Sequence, residues 1–218
     1  MLKSILFFGD SNTWGYDPRT GGRYSPEVRY TGRLRSLLSD HHYEIIESGL
    51  NGRTTAYDDG FDGYSSGSKA LPILLKTHDP IDLVVIMLGT NDLKDRLGLT
   101  VDDVVKGMRR LIHMVHSPGM WHLRHAPAVL AVAPMLLNEH TLLTSPFGEV
   151  FSARSVARSR QLGSAYEALC ADESIRCCCF DAGQLGPVTS SDGVHMSPDD
   201  HRRLADALAS ILPSILGA

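Results

Sequence analysis

The feature that most limits the possible folds is a run of six apolar residues, Leu83 to Leu88, in the middle of the chain. A run without a polar position is typical of a parallel strand that is covered on both faces. Four further short apolar runs alternate with stretches of helical period, which is typical of a parallel sheet wrapped by helices. The predicted strands are Ser4 to Phe8, Tyr43 to Glu47, Leu83 to Leu88, Ala128 to Val132 and Arg176 to Phe180.

Five helices are predicted around these strands: Tyr30 to Ser39, Ser68 to Thr77, Val101 to His116, Val150 to Asp172 and Pro198 to Leu212. Thr100 and Ser197 are candidate N-caps of the third and the fifth, whereas Pro72 should shorten or kink the second. No repeat or linker divides the chain, so residues 1–218 are interpreted as one domain. Right-handed crossovers then give a doubly wound α/β sheet with Leu83 to Leu88 at its centre.

The composition excludes several classes of protein. Hydrophobic residues make up 43% and charged residues 21% of the 218 positions, as in ordinary soluble domains. No apolar run approaches the ~20 residues that span a bilayer, and the net charge of −4 comes with scattered Lys and Arg, so neither membrane nor nucleic acid is expected as a partner. The N-terminal apolar run is too short for a signal peptide, so a cytoplasmic location is expected.

The four cysteines, Cys170 and Cys177 to Cys179, lack the spacing of metal ligands. They are interpreted as small buried residues of a core strand in a reducing compartment. No metal site is therefore expected.

Chemistry is expected in the loops after the strands, because ligands bind beyond the carboxyl ends of a parallel sheet. These loops hold five polar or glycine candidates: Ser11, Gly52, Asn91, Asp192 and His195. Taken singly, each is more often a turn or capping residue than a site residue. Together they supply a nucleophile, amide donors for an oxyanion and an Asp–His pair, which are the parts of an acyl-transfer site.

The motifs resemble those of the SGNH (GDSL-type) hydrolase family, in the family's order and over nearly the whole chain. The matching blocks are Gly9-Asp10-Ser11-Asn12, Gly52, Gly89-Thr90-Asn91-Asp92 and Asp192-Gly193-Val194-His195. Further stretches are similar to the arylesterase and acyltransferase branch known from mycobacteria: Thr13-Trp14-Gly15, Arg29-Tyr30-Thr31-Gly32, Gly52-Arg53-Thr54-Thr55 and Asp82 through Asp92. The resemblance implies a three-layer α/β/α, flavodoxin-like fold and no cofactor.

The resemblance also implies a role for each matching residue. Ser11 would be the nucleophile, His195 the general base and Asp192 its orienting partner, while the oxyanion hole would combine the backbone N–H groups of Ser11 and Gly52 with the Asn91 side chain. The expected activity is hydrolysis of short-chain carboxylic esters, such as aryl or alkyl acetates, through an acyl-enzyme that can also pass its acyl group to an alcohol or peroxide. Substrate contacts are predicted for Asp10, Asn12, Thr13 and Trp14. For Trp14, ordinary packing beneath the loop is the alternative interpretation.

Other functions stay open on the sequence. Within the family they are carbohydrate acetylesterase, thioesterase and lysophospholipase activity. Outside it, the fold permits a flavodoxin-like ligand-binding protein, although the first loop lacks the glycine patterns of nucleotide sites. Asp10 and Asp92 both end strands, but neither carries the partner motif of a glycosidase or metal site.

Two further features of the sequence have open interpretations. Arg53 and Lys94 lie beside motif residues and either contact an anionic substrate or are solvated surface charges. The apolar segment Pro134 to Phe151 either covers the crevice or packs against another subunit, and a homo-oligomer is expected from the resemblance. The loops Pro118 to Pro127 and Pro134 to Gly148, where the resemblance is weaker, are expected to set substrate range and subunit contacts.

Overall fold

The computed structural model describes residues 2–61, 63–121 and 125–217. Its strands are β1 (Lys3–Gly9), β2 (Tyr43–Gly49), β3 (Leu83–Met87), β4 (Ala128–Ala133) and β5 (Cys178–Asp181). They form one parallel sheet in the order β2-β1-β3-β4-β5. The predicted centre is confirmed, because β3 is the middle strand and all its residues are buried.

Seven α-helices accompany the sheet in the part of the chain that the structure describes: α1 (Ser11–Trp14), α2 (Tyr30–Leu37), α3 (Gly67–Thr77), α4 (Val101–Val115), α5 (Glu139–Leu142), α6 (Ala153–Cys170) and α7 (Pro198–Ile215). Thr100 and Ser197 begin α4 and α7 with capping boxes, as predicted. α3 continues through Pro72, its sixth residue, so the proline does not end the helix there. None of the described helices is long and apolar enough to cross a membrane.

The core lies in two layers because successive side chains of a strand point to opposite faces of the sheet. Leu6 and Phe8 of β1 pack with α3, α4 and α6 on one face, while Ile5 and Phe7 pack with α2 and α7 on the other. Each fully buried side chain of this size contributes roughly 1.5–3 kcal/mol to folding. The predicted three-layer α/β/α architecture is therefore confirmed.

The edge strand β5 corrects one prediction. Arg176 has a φ of 51°, in the left-handed region, so the chain is not extended there and β5 begins at Cys178. Because an edge strand has a neighbour on one side only, Cys178 is exposed and Cys179 is half-buried. Cys177, directly before β5, and Cys170, at the end of α6, are also half-buried. The prediction that these four free cysteines are buried was wrong.

The register of the sheet brings three loops together. Gly9, the last residue of β1, pairs with Gly49 at the end of β2 and with Met87 at the end of β3. The chain therefore leaves all three strands at the same edge, directly before the segments that contain Ser11, Gly52 and Asn91.

Candidate active site

Ser11 is the first residue of α1, a single helical turn placed directly after β1. Asp10 caps this turn, because its Oδ1 atom accepts a hydrogen bond of 2.9 Å from the Asn12 N–H group. Gly15 ends the turn with a φ of 89°, which a residue with a Cβ rarely adopts. Capped at both ends, the turn holds the Ser11 hydroxyl at the carboxyl edge of the sheet.

Ser11, His195 and Asp192 form a continuous chain of hydrogen bonds. The Ser11 Oγ atom lies 3.0 Å from His195 Nε2, and His195 Nδ1 lies 2.6 Å from Asp192 Oδ2. The other oxygen of Asp192 accepts hydrogen bonds of 2.9 Å from the Ser190 hydroxyl and from the N–H groups of Val194 and His195. This network fixes the carboxylate, which in turn orients the imidazole ring.

The electrostatics of Asp192 favour that arrangement. Burial by itself would raise its pKa, but the hydrogen bonds and charge of His195, together with the N–H groups, outweigh burial and lower the pKa to about 2. Asp192 is therefore ionised at neutral pH and favours a proton on Nδ1 of His195. Nε2 is then free to accept the Ser11 proton.

Two aromatic rings pack against His195. The Tyr16 ring centre lies 4.3 Å from the imidazole centre, and the Phe147 ring approaches it edge-on at 5.3 Å. Both rings line the cavity beside Ser11. Sequence reasoning did not single out either residue for this contact: Tyr16 follows the last motif position, and Phe147 was one of many apolar residues in its segment.

Gly52 and Asn91 line the same cavity as Ser11. Gly52 lies in a turn with a φ of 83°. The Asn91 Nδ2 atom donates to the Arg53 carbonyl at 3.1 Å and approaches Asp10 Oδ2 at 3.4 Å. The amide nitrogen thus has two acceptors within the protein, of which Asp10 is the more distant.

Arg53 is buried and faces away from the cavity. Its Nη1 atom donates to the carbonyls of Gly9 at 2.8 Å and Ser48 at 2.5 Å, and its guanidinium lies 4.2 Å from the centre of the Phe8 ring. Burial lowers its pKa to about 10, which still leaves it charged at neutral pH. Arg53 thus connects the ends of β1 and β2. It is neither a solvated surface charge nor part of the cavity lining, so neither role expected from the sequence fits.

Asp10 and Asp92 are buried carboxyl groups that do not line the cavity. Burial raises the pKa of Asp10 to about 6 and that of Asp92 to about 7. Asp92 accepts hydrogen bonds from the Thr55 N–H group at 3.0 Å and the Thr55 hydroxyl at 2.5 Å. Asp92 thereby anchors the loop that contains Gly52.

The other predicted substrate contacts also lie away from the cavity. Asn12 binds the loop before α7, accepting from the Met196 N–H group at 2.8 Å and donating to the Val194 carbonyl at 3.3 Å. The buried Thr13 hydroxyl lies 2.9 Å from that of Tyr30. Trp14 packs under the guanidinium of Arg23, 5.4 Å away. None of these three residues lines the cavity beside Ser11.

The cavity itself encloses about 190 Å³. Its polar lining consists of Ser11, Tyr16, Asn51, Gly52, Asn91, Lys94 and His195. Its apolar wall consists of Phe147, Val150, Phe151 and Val194. Three of these four belong to the Pro134 to Phe151 segment, so that segment covers the crevice, as one of its two interpretations predicted.

Sequence comparison agrees with this geometry. The profile of the GDSL-like Lipase/Acylhydrolase family matches residues 7–203. The chain belongs to that family. It is accordingly a carboxylic ester hydrolase, as predicted. No curated protein sequence matches the chain.

Solved structures resemble the hydrolase over its whole length. A carbohydrate acetylesterase family member from Sinorhizobium meliloti is 37% identical, with a TM-score of 0.90 over 99% of this chain and 100% of the other. The inhibitor-bound aryl esterase of M. smegmatis is 36% identical, with a TM-score of 0.88 over 98% of this chain and 99% of the other. A putative arylesterase from Agrobacterium tumefaciens is 37% identical, with a TM-score of 0.86 over 98% of this chain and 99% of the other.

Proposed function

We propose that this hydrolase cleaves short-chain carboxylic esters, such as aryl or alkyl acetates, through an acyl-enzyme on Ser11. The observation that carries the proposal is the hydrogen-bonded chain from Ser11 Oγ through His195 to Asp192, with contacts of 3.0 and 2.6 Å. A serine hydroxyl is a weak nucleophile until a neighbouring base takes its proton. His195 has the position and the partner of such a base.

The mechanism follows from these positions. His195 Nε2 takes the Ser11 proton while Oγ attacks the ester carbonyl carbon, and Asp192 stabilises the imidazolium that forms. The carbonyl oxygen becomes an anion and accepts hydrogen bonds from the N–H groups of Ser11 and Gly52 and from the Asn91 side chain. The intermediate then expels the alcohol, which receives its proton from His195. Water, deprotonated by the same imidazole, attacks the acyl-enzyme; the bond between the acyl carbon and Oγ breaks, the carboxylic acid leaves, and His195 returns the proton to Ser11.

The size of the cavity supports short acyl groups. Its volume of about 190 Å³ lies below the ~300–1,000 Å³ of sites that hold drug-sized ligands. The apolar wall also favours a small acyl group and limits access of water. A small alcohol or a peroxide would then compete with water for the acyl-enzyme, giving acyl transfer.

A second candidate activity is deacetylation of carbohydrates. It is favoured by the likeness to the S. meliloti protein described as a carbohydrate acetylesterase family member. Comparing hydrolysis of an acetylated sugar with that of 4-nitrophenyl acetate separates the two candidates, and a higher kcat/KM for the sugar ester would replace the first proposal by the second.

The central experiment is the substitution Ser11→Ala. Hydrolysis of 4-nitrophenyl acetate should fall at least 10³-fold because the acyl-enzyme cannot form. Ser210→Ala, an exposed serine on α7, is the matched control and should keep the wild-type rate. Retention of the wild-type rate by Ser11→Ala would exclude Ser11 as the nucleophile.

A further inference from the structure

We propose that the hydrolase prefers esters that carry a carboxylate, and that Lys94 selects them. The proposal rests on the proposed ester hydrolysis at Ser11 and names the class of substrate that this site favours. Three observations carry it: the position of Lys94, the absence of a counter-charge on the cavity wall, and an excess of positive charge in the ion cluster behind that wall.

Lys94 lies in the wall of the cavity that contains Ser11 and His195. Its side chain is only 10% exposed, so its ammonium group is far less hydrated than that of a surface lysine. No Asp or Glu among the residues that the structure describes lines this cavity. A substrate that enters therefore meets a cation without a competing carboxylate on the same wall.

The ion cluster behind the wall has more positive than negative charge. Asp59, which is 1% exposed, accepts a hydrogen bond of 2.8 Å from Lys94 Nζ. It also pairs with Arg96, at 2.9 Å from Nε and 2.5 Å from Nη2. The hydrogen bonds from Arg96, followed by those from Lys94, hold the pKa of Asp59 well below its usual range despite burial. One carboxylate thus faces two cations, and the cluster keeps a charge of +1.

Of the two cations, Lys94 is the one that lines the cavity. Arg96 engages Asp59 through two nitrogens and stacks at 4.8 Å on the exposed Phe61 ring, outside the cavity lining. An ammonium group has three N–H donors, and within the described ranges the structure shows Asp59 as the acceptor of one. The remaining donors of Lys94 are available to a substrate carboxylate.

The expected size of the preference follows from ordinary charged hydrogen bonds. Such a bond in a poorly hydrated place raises binding by roughly 10- to 100-fold relative to a neutral partner. We expect that factor in kcat/KM for an ester with a carboxylate over its neutral methyl ester, after correction for intrinsic reactivity.

The experiment compares 3- and 4-acetoxybenzoate with their methyl esters. Intrinsic reactivity cancels when the carboxylate-to-methyl ratio of kcat/KM is compared between variants. Lys94→Met keeps the aliphatic stem and leaves Asp59 paired with Arg96, and the ratio should fall about 10-fold or more. Arg96→Met leaves a one-to-one pair of Lys94 and Asp59, so the ratio should fall by a smaller factor. Lys106→Met, an exposed lysine on α4, is the matched control and should keep the wild-type ratio.

Each outcome decides the proposal. A wild-type ratio in Lys94→Met, or equal losses on both esters, would show that Lys94 is structural and would overturn the inference while ester hydrolysis stands. If the wild-type protein hydrolyses neither class of ester, the proposed function itself fails and the inference with it. Should Lys94→Met not fold, as judged by circular dichroism, an unchanged ratio in Arg96→Met would overturn the inference.

Discussion

Asn12 connects the loop that carries Ser11 to the loop that carries His195, because its Oδ1 atom accepts a hydrogen bond of 2.8 Å from the Met196 N–H group. The same side chain donates to the Val194 carbonyl at 3.3 Å. Asn12 therefore holds the backbone on both sides of His195. The 3.0 Å contact between Ser11 and His195 depends on this join between distant parts of the chain.

Asn12→Ala should lower kcat for 4-nitrophenyl acetate about 10- to 100-fold, because misplacement of a base by about 1 Å has effects of that size. KM should change less, since Asn12 does not line the cavity. Steady-state kinetics test this. Thr144→Ala, an exposed residue with a local hydrogen bond, provides the control. A wild-type kcat in Asn12→Ala would show that the loop is held by other contacts.

Asp192→Asn should lower kcat by about 10³- to 10⁴-fold without unfolding the protein. The amide cannot stabilise the imidazolium, and its N–H group favours the wrong tautomer of His195. Asp199→Asn, at an exposed position of α7, should retain full activity. If Asp192→Asn stayed within a few-fold of wild type, the carboxylate would not assist His195.

Asp10→Asn should stabilise the protein at alkaline pH. Burial raises the pKa of Asp10 in the folded protein to about 6, from an ordinary value of 3.8, so the folded state binds the proton more tightly than the unfolded state. The free energy of unfolding therefore falls as pH rises from about 4 to 6, and above that the ionised group costs up to about 3 kcal/mol. Asn keeps the cap on α1 without this cost.

Urea unfolding at pH 4 and pH 8 measures the effect of Asp10→Asn. The variant should be more stable than wild type at pH 8, and the difference should shrink at pH 4. A difference independent of pH would mean that Asp10 does not titrate in this range.

Phe147→Ala should widen the acyl specificity. Phe147 forms part of the apolar wall, and its removal enlarges a cavity of about 190 Å³. Hydrolysis of 4-nitrophenyl hexanoate relative to acetate should rise several-fold, while kcat on acetate should fall because Phe147 also packs on His195. Leu143→Ala, at an exposed position nearby, is the control. An unchanged chain-length profile would place the acyl group elsewhere.

The sequence predicted the sheet and the contact between Asp192 and His195 because each rests on a local pattern. Continuous apolar runs indicated the strands, and the short spacing of Asp192 and His195 indicated their pairing. The single turns α1 and α5 were not predicted, because one turn is too short to show a helical period. A run of cysteines is equally apolar in a central strand and in an edge strand, so the sequence could not show that β5 lies at the edge of the sheet.

The substrate contacts could not be predicted because they depend on which side of a loop faces the cavity. Arg53 and Lys94 both lie beside motif residues, yet Arg53 binds the carbonyls at the ends of β1 and β2 whereas Lys94 lines the cavity. The role of Asn12 in joining two loops could not be predicted, because its partner, Met196, lies 184 residues away in the chain. The homo-oligomer and the cytoplasmic location stay predictions; elution as a 23.8 kDa monomer would contradict the first.

The distance along the chain between Ser11 and His195 has a consequence for how the enzyme forms. The amino-terminal strand β1 and the carboxyl-terminal helix α7 meet in the folded protein, where the Lys3 ammonium donates to the Leu216 carbonyl. Esterase activity cannot appear until α7 has docked and brought His195 to Ser11. During refolding, the return of activity therefore reports the formation of this long-range contact, whereas far-ultraviolet circular dichroism also reports local structure.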